Sequence, residues 1–466
     1  MLYRKTASSL LLCLVLGFGA VAQVSVTNGD GATLEDLQRE EALVTIILKG
    51  SNAPDHNLRI TGVYETTISV VTLDGVKTAY PTSLVGEVRV QDGRVAETRK
   101  RSREGALSDE ELVLVTRAGV RAMELFEATK NDQLSRMAAA LAVSASNHED
   151  RSITLRYLQE LAGGNDVPTA VLATTYLYLA GIPPDEDVLS EGFLSGNRDA
   201  RAGAATLAGL TRNETYLPEL RTMLKDPTIE IFPPAAKAIG RMGDRVGLPE
   251  LYEAIRALRD AKAESAVFAL SRMGGEEVKL KMQEMLRTSK GLEWFRVLRV
   301  LFALGDEGAR DIMKTDALRQ PAYQRTAGLL VADAGDWEGT LFLREYLEKA
   351  EDPNLENLLF RAEVGATLFL GGEGRAKLVL QELINMRASQ IYARGKTGDD
   401  NYKRDTAKMV QVNALRRVGA TGARELLSLL EGAVESTDVD VAITACTAAV
   451  EISNPEFGAR LREARL

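Results

Sequence analysis

The sequence predicts a mainly α protein: a right-handed α-α superhelix, a solenoid of stacked helix pairs, preceded by a small N-terminal β-barrel module. Three observations predict it. A glycine-marked unit recurs about every 31 residues over most of the chain. Apolar residues hold fixed offsets from those glycines. A stretch near the N-terminus instead carries short runs of β-branched residues between turn signals.

The chain opens with Arg4 and Lys5, an apolar run over 10–21, and Ala20-Val21-Ala22 before Gln23. A basic start, a short apolar stretch and an Ala-x-Ala site make an export signal. Residues 1–22 are therefore expected to be removed, and the mature protein to be periplasmic or secreted. The run falls short of the ~20 residues of a membrane span, so no integral membrane segment is expected. Cys13 follows Leu10-Leu11-Leu12 rather than a small residue, which argues against lipidation. Cleavage removes Arg4 and Lys5, so 57 basic residues become 55 against 66 acidic ones, a net charge of about −11. An acidic chain is poorly suited to phosphate backbones, and no nucleic-acid partner is expected.

Residues 33–98 form the β module. After a short helical pattern at Leu34 and Leu37, strand-like runs occupy 43–48, 58–64, 67–73, 76–80 and 84–90. Asp74-Gly75 is a hairpin turn signal, and a small barrel is the natural closure for five short strands. A polar linker over 99–105, with Arg99-Lys100-Arg101 and Arg103, leads into the solenoid over 106–466. Its first helix opens with a capping box, Ser108 and Glu111.

The repeat frame is anchored on Gly181, Arg212, Gly243, Gly274, Gly305, Gly335, Gly371 and Gly419. Eight residues later stand Leu189, Leu220, Leu251, Met282, Met313, Leu343, Val379 and Leu427. Four residues earlier stand Leu177, Ala208, Ile239, Leu270, Leu301, Val331, Thr367 and Leu415, of which only Thr367 is polar. Glycine at such a position ends a helix in the left-handed conformation without a Cβ clash. Asp244, Asp306 and Asp336 directly follow anchors and are placed to cap the next helix. Helix pairs of this size cannot bury an apolar face alone and must stack. Alanine-rich first helices, such as the one carrying Ala235, Ala236 and Ala238, let neighbours approach closely. The last short helix, after Pro455, is expected to cap the stack.

The stretch 235–243, with the similar 265–274, resembles the bacterial HEAT-like repeats of the phycobilin-lyase type. That resemblance implies an armadillo-like helical architecture over residues 106–466. One helix and five strands with Gly62 inside the second resemble an Sm-like barrel, which implies ring formation and RNA binding. Here Leu84-Val85 leads to Gly86-Glu87, without the basic residue of the family's second motif. An SH3-like barrel is the alternative, and either would serve docking or homo-oligomerisation.

No catalytic, metal or cofactor-binding set is expected, and none of these chemistries is assigned. The two histidines, His56 and His148, read as turn residues without partners at ligand spacing. Arg394-Gly395-Lys396-Thr397 lacks the leading glycine of a phosphate loop, since Gln390 stands there. Asp185, Glu186 and Asp187 suit a helix start. Cys446, the cysteine of the mature chain, reads as a small core hydrophobe. Trp294, Phe295 and Phe302 fit core packing between repeats. The insertion 386–408 lengthens one repeat and carries Arg387, Tyr392, Arg394 and Tyr402, candidates for a partner-binding loop. Trp337, at a helix start, is the aromatic expected to be exposed and to anchor an interface. The expected function is a non-catalytic interaction scaffold of the cell envelope, gripping a protein partner on its concave face. An enzyme or chromophore carrier related to phycobilin lyases and an Sm-like nucleic-acid binder are the alternatives.

Overall fold

The computed structural model describes residues 25–27, 43–48, 54–63, 67–72, 77–81, 85–90, 107–129, 133–145, 151–226, 228, 230–257, 260–349, 354–391 and 400–465. The expected signal sequence and linker, the short helical pattern at Leu34 and Leu37, His148, Tyr392 and Arg394 lie outside the described residues.

The N-terminal strands are β1 (Ser25–Thr27), β2 (Leu43–Leu48), β3 (Pro54–Val63), β4 (Thr67–Thr72), β5 (Lys77–Pro81) and β6 (Val85–Val90). They form one sheet in the order β1-β6-β2-β3-β4-β5. β1 lies parallel to β6, and the other ladders are antiparallel. Alternating residues, among them Val44, Ile46, Ile60, Ile68, Val70 and Val88, make a core of their own. The expected hairpin joins β4 to β5, and Gly62 sits at a register shift in β3, as a bulge glycine does. Two expectations change. His56 belongs to β3 rather than to a turn, because the start of that strand pairs with Ile46 and Ile47 across an irregularity. β1 adds an unforeseen sixth strand, too short to show periodicity. Among the described residues no ladder joins β1 to β5, which are the edges of the sheet.

The helices are α1 (Asp109–Ala128), α2 (Gln133–Ser144), α3 (Arg151–Ala162), α4 (Val167–Leu179), α5 (Glu186–Leu194), α6 (Arg198–Thr211) and α7 (Leu217–Leu224). Next come α8 (Phe232–Met242), α9 (Leu248–Ala254), α10 (Asp260–Met273), α11 (Glu276–Thr288), α12 (Gly291–Ala303), α13 (Glu307–Thr315) and α14 (Gln324–Asp333). The last are α15 (Trp337–Glu348), α16 (Leu355–Leu370), α17 (Ala376–Ile384), α18 (Asp400–Thr421), α19 (Glu431–Val434), α20 (Val439–Ser453) and α21 (Pro455–Arg465). The even-numbered helices stack each on the next from α2 to α12 and from α14 to α20 as the inner layer, while the odd-numbered ones up to α19 pack outside them. This is a solenoid of helix pairs.

The anchors behave as the periodicity requires. Gly181, Arg212, Gly243, Gly274, Gly305 and Gly335 all have positive φ and end inner helices. The N–H that follows donates to the carbonyl five residues back: Asn213 to Ala208, Asp244 to Ile239, Asp306 to Leu301, Asp336 to Val331. The apolar residue four before each anchor is thus the place where a Schellman turn closes. Two anchors shift. Gly372 and Gly422, not Gly371 and Gly419, carry the left-handed turn. Gly419 instead lies inside α18, where an added Cβ would stand 2.9 Å from the Ala448 Cα of α20. Gly209 against Ala238 and Gly240 against Ala269 repeat that contact, at 2.7 and 2.5 Å. Each glycine sits three residues before its turn, so small residues recur where inner helices touch.

Of the three aspartates after anchors, Asp306 caps its helix, accepting from the Ala309 N–H. Asp244 and Asp336 do not cap. Arg221 of α7 donates twice to Asp244, and Arg310 of α13 donates twice to Asp336. These pairs staple each outer helix to the turn of the next repeat. The capping box forms at Ser108 and Glu111, and Asp185 caps α5.

The two ends of the solenoid meet. α1 and α2 pack on α20, and one apolar core holds Leu114, Ala118 and Leu141 together with Cys446, Val450 and Phe457. Arg117 pairs with Glu431, Arg121 donates to the Ser436 carbonyl, and Asn454 donates to the Ser144 carbonyl. The superhelix therefore returns on itself. α21 is not an end cap: it packs on α4, α6, α18 and α20, all inner helices, so it lies across the concave face.

Candidate functional site

Cys446 is fully buried, and burial pushes its thiol up to about 12, out of nucleophilic range. Among the described residues no group of three His, Cys, Asp or Glu side chains could hold a metal ion, and no helix is long and apolar enough to cross a membrane. Trp294 and Phe295 pack on Tyr323, the Phe295 and Tyr323 rings stacking at 4.5 Å, so those aromatics join repeats.

Trp337 is the first residue of α15 and is 55% exposed. Its ring is not loose. The Arg344 guanidinium lies over it at 4.8 Å, and Arg344 is itself paired with Glu373 in the turn before α17. Leu341, one turn along and also exposed, extends the patch. The C-terminal part of the insertion is helical: residues 400–408 form the start of α18, with Thr406 and Ala407 buried. Arg387 is exposed before a short 3-10 turn, its N–H donating to Gln390, and Tyr402 is half-buried in the first turn of α18. Arg387 and Tyr402 flank the undescribed 392–399, while Trp337 stands on a different outer helix.

The inner face holds a cluster that the sequence reading did not assemble. Arg241, near the end of α8, has a side chain 2% exposed. Its Nε donates to the Glu463 carboxylate of α21 at 2.8 Å, and a terminal nitrogen donates to the Glu463 carbonyl. Arg272 of α10 reaches the same carboxylate at 3.5 Å. Burial lowers the Arg241 pKa, and Glu463 offsets part of that. Burial also lowers the pKa of Lys237, one turn earlier on α8, and the Arg241 charge adds to it. Arg212, at the end of α6, acts on Arg241 and on Tyr178 of α4, whose hydroxyl donates to the Leu210 carbonyl. Arg460 of α21 donates to the Leu179 carbonyl.

A sequence signal for this cluster existed. Arg241 and Arg272 both stand two residues before an anchor glycine, and Arg212 replaces one. Glu463 carried no comparable signal, because the non-local return of α21 brings it there. A second concavity, a cleft of about 430 Å³, runs along α1 beside the seam, with exposed Leu112, Val113 and Val120.

No family model and no curated protein matches the chain. Among solved structures, human deoxyhypusine hydroxylase in complex with glycerol is similar at 18% identity and a TM-score of 0.30, over 65% of this chain and 98% of that one. An engineered protein is similar at 16% identity and a TM-score of 0.29, over 71% of this chain and 99% of that one.

Proposed function

We propose that this protein is a non-catalytic interaction scaffold of the HEAT-repeat type, exported to the cell envelope, which binds a protein partner through its outer face at Trp337. One observation carries the reading: an indole 55% exposed yet held by the overlying Arg344. An exposed tryptophan backed by arginine is the composition of an interface hot spot. A ring already fixed in place loses little conformational freedom on binding. α21 covers part of the concave face, so the outer surface takes precedence over the concave grip that the repeats alone suggest. Export rests on the pattern of residues 1–22 and predicts a mature chain beginning at Gln23, which N-terminal sequencing of envelope material would check. The oligomerising role of the β module rests on its resemblance alone.

Cross-linked capture from the native envelope with the tagged mature chain and with Trp337→Ala tests the reading. Trp337 is exposed, so the variant should keep its melting temperature while losing a specific protein that the wild type retains. Equal capture by both would remove Trp337 from recognition. A bound pigment in place of a protein would favour the carrier alternative.

A further inference from the structure

We propose that the inner face between α4 and α10 is a recognition site for an acidic segment of a partner protein, and that α21 occupies it in cis, Glu463 standing in for the partner's carboxylates. The inference rests on the scaffold reading but uses the opposite face from Trp337.

Three independent observations converge on it. The first is charge. In a chain with nine more acidic than basic residues, Arg212 ends α6, which packs on α8, Lys237 stands one turn before Arg241 on α8, and Arg272 of the adjoining α10 shares the Glu463 carboxylate with Arg241. Glu463 pairs with Arg241 and Arg272, and among the described residues neither Arg212 nor Lys237 has an ion-pair partner. The cluster thus keeps cationic capacity beyond the anion it holds.

The second is backbone. Arg212 adopts φ +53°, the only positive φ of a non-glycine among the described residues. The equivalent turns at Gly181, Gly243, Gly274, Gly305 and Gly335 use glycine. A side chain there is disfavoured by the clash of Cβ with the carbonyl that follows, so a guanidinium is held where the repeat otherwise takes the unstrained residue. Such outliers persist at sites of binding or switching.

The third is how α21 is attached. Its contacts to α4, α8 and α10 include the polar ones of Arg460 and Glu463. The helix contacts of the seam are those of α1, α2 and α20, while α21 adds Phe457 to the seam's apolar core and pairs Arg462 and Arg465 with the buried Glu451 of α20. Release of α21 from the inner face leaves the α1, α2 and α20 contacts that hold the ring shut, and costs the Phe457 packing and the Glu451 pairs.

The test uses the full mature chain and a short fluorescein-labelled glutamate-rich peptide, read by fluorescence anisotropy. Glu463→Gln removes the competing charge. Gly458→Ala lifts α21 by a second route, because the added methyl meets the Glu451 carbonyl of α20. Each should bind the peptide about tenfold more tightly than the wild type, as expected when a competing state is depopulated. Binding should weaken steeply with salt. Arg212→Gly, which restores the glycine of the other repeats, should reverse most of the gain. Equal peptide affinity in wild type, Glu463→Gln and Gly458→Ala would overturn the proposal, as would a gain indifferent to Arg212→Gly. Should both releasing variants fail to fold, hydrogen exchange on the wild type decides. Faster exchange of the 455–465 amides with peptide present supports the proposal, and unchanged exchange overturns it. Trp337→Ala should leave peptide binding unaltered, so failure at one face is separable from failure at the other.

Discussion

Asp244 shows how a single residue can be read correctly for its place and wrongly for its role. Its position after Gly243 suggests a helix cap. Arg221 takes the carboxylate instead, because a bidentate guanidinium pair is stronger than one bond from a neutral N–H. That pairing holds the Asp244 carboxyl below its ordinary value of 3.8. A folded pKa depressed in this way gives stability that is fully present above 3.8 and is lost as pH falls through the folded value. Asp244→Asn should flatten the acid limb of a plot of melting temperature against pH, measured by circular dichroism. Arg212 was visible in the sequence as the anchor that was not glycine, but its purpose was not. Backbone angle and neighbouring charge come from the fold. Arg212→Gly should leave stability within about 1 kcal/mol of wild type, since relief of the left-handed strain and the entropy of glycine oppose each other.

At the scale of the element, what was legible followed from periodicity. Positions four before and eight after each turn are buried because local geometry dictates them, and Leu251, Met282, Met313 and Leu343 are all fully buried. The two anchors that slipped, to Gly372 and Gly422, lie where repeat lengths change and several glycines compete for one turn. The insertion at 386–408 read as a loop because its charges mask a helical pattern. In α18 those charges extend a helix beyond the repeat, with only Thr406 and Ala407 of that stretch turned inward. Contacts between inner helices yield a prediction of diagnostic sign. Gly→Ala inside an exposed helix normally adds up to ~1 kcal/mol. Gly240→Ala should instead destabilise, by ~1–3 kcal/mol, because the new methyl would meet the Ala269 Cα at 2.5 Å. Ala269→Leu should do the same from the facing side. Chemical denaturation of both variants checks the register, and neutral results would contradict it.

For the whole molecule, stacking was legible and closure was not, because closure depends on the sum of small rotations over many repeats rather than on any one of them. The site on the inner face was hidden for the same reason: Arg241 and Glu463 are 222 residues apart. An open array of repeats loses structure from its ends inwards. Here α1 and α20 are one another's neighbours, so neither terminal repeat is bare. Hydrogen exchange should show protection in α2 and α20 level with that in α8, where an open stack would show it falling toward the termini.

The attachment of α21 across the inner helices sets the scale of any rearrangement on the concave face. A solenoid usually changes what it presents by flexing along its length, which disturbs every interface a little. In this molecule a single helix of eleven residues acts as a latch. Releasing it exposes the apolar surface of Phe457 and Leu461, each worth ~1.5–3 kcal/mol when buried, and breaks the Glu463 pairs and those of Arg462 and Arg465 with the buried Glu451. That change is confined to one helix and the surfaces it covers, rather than spread along the whole array.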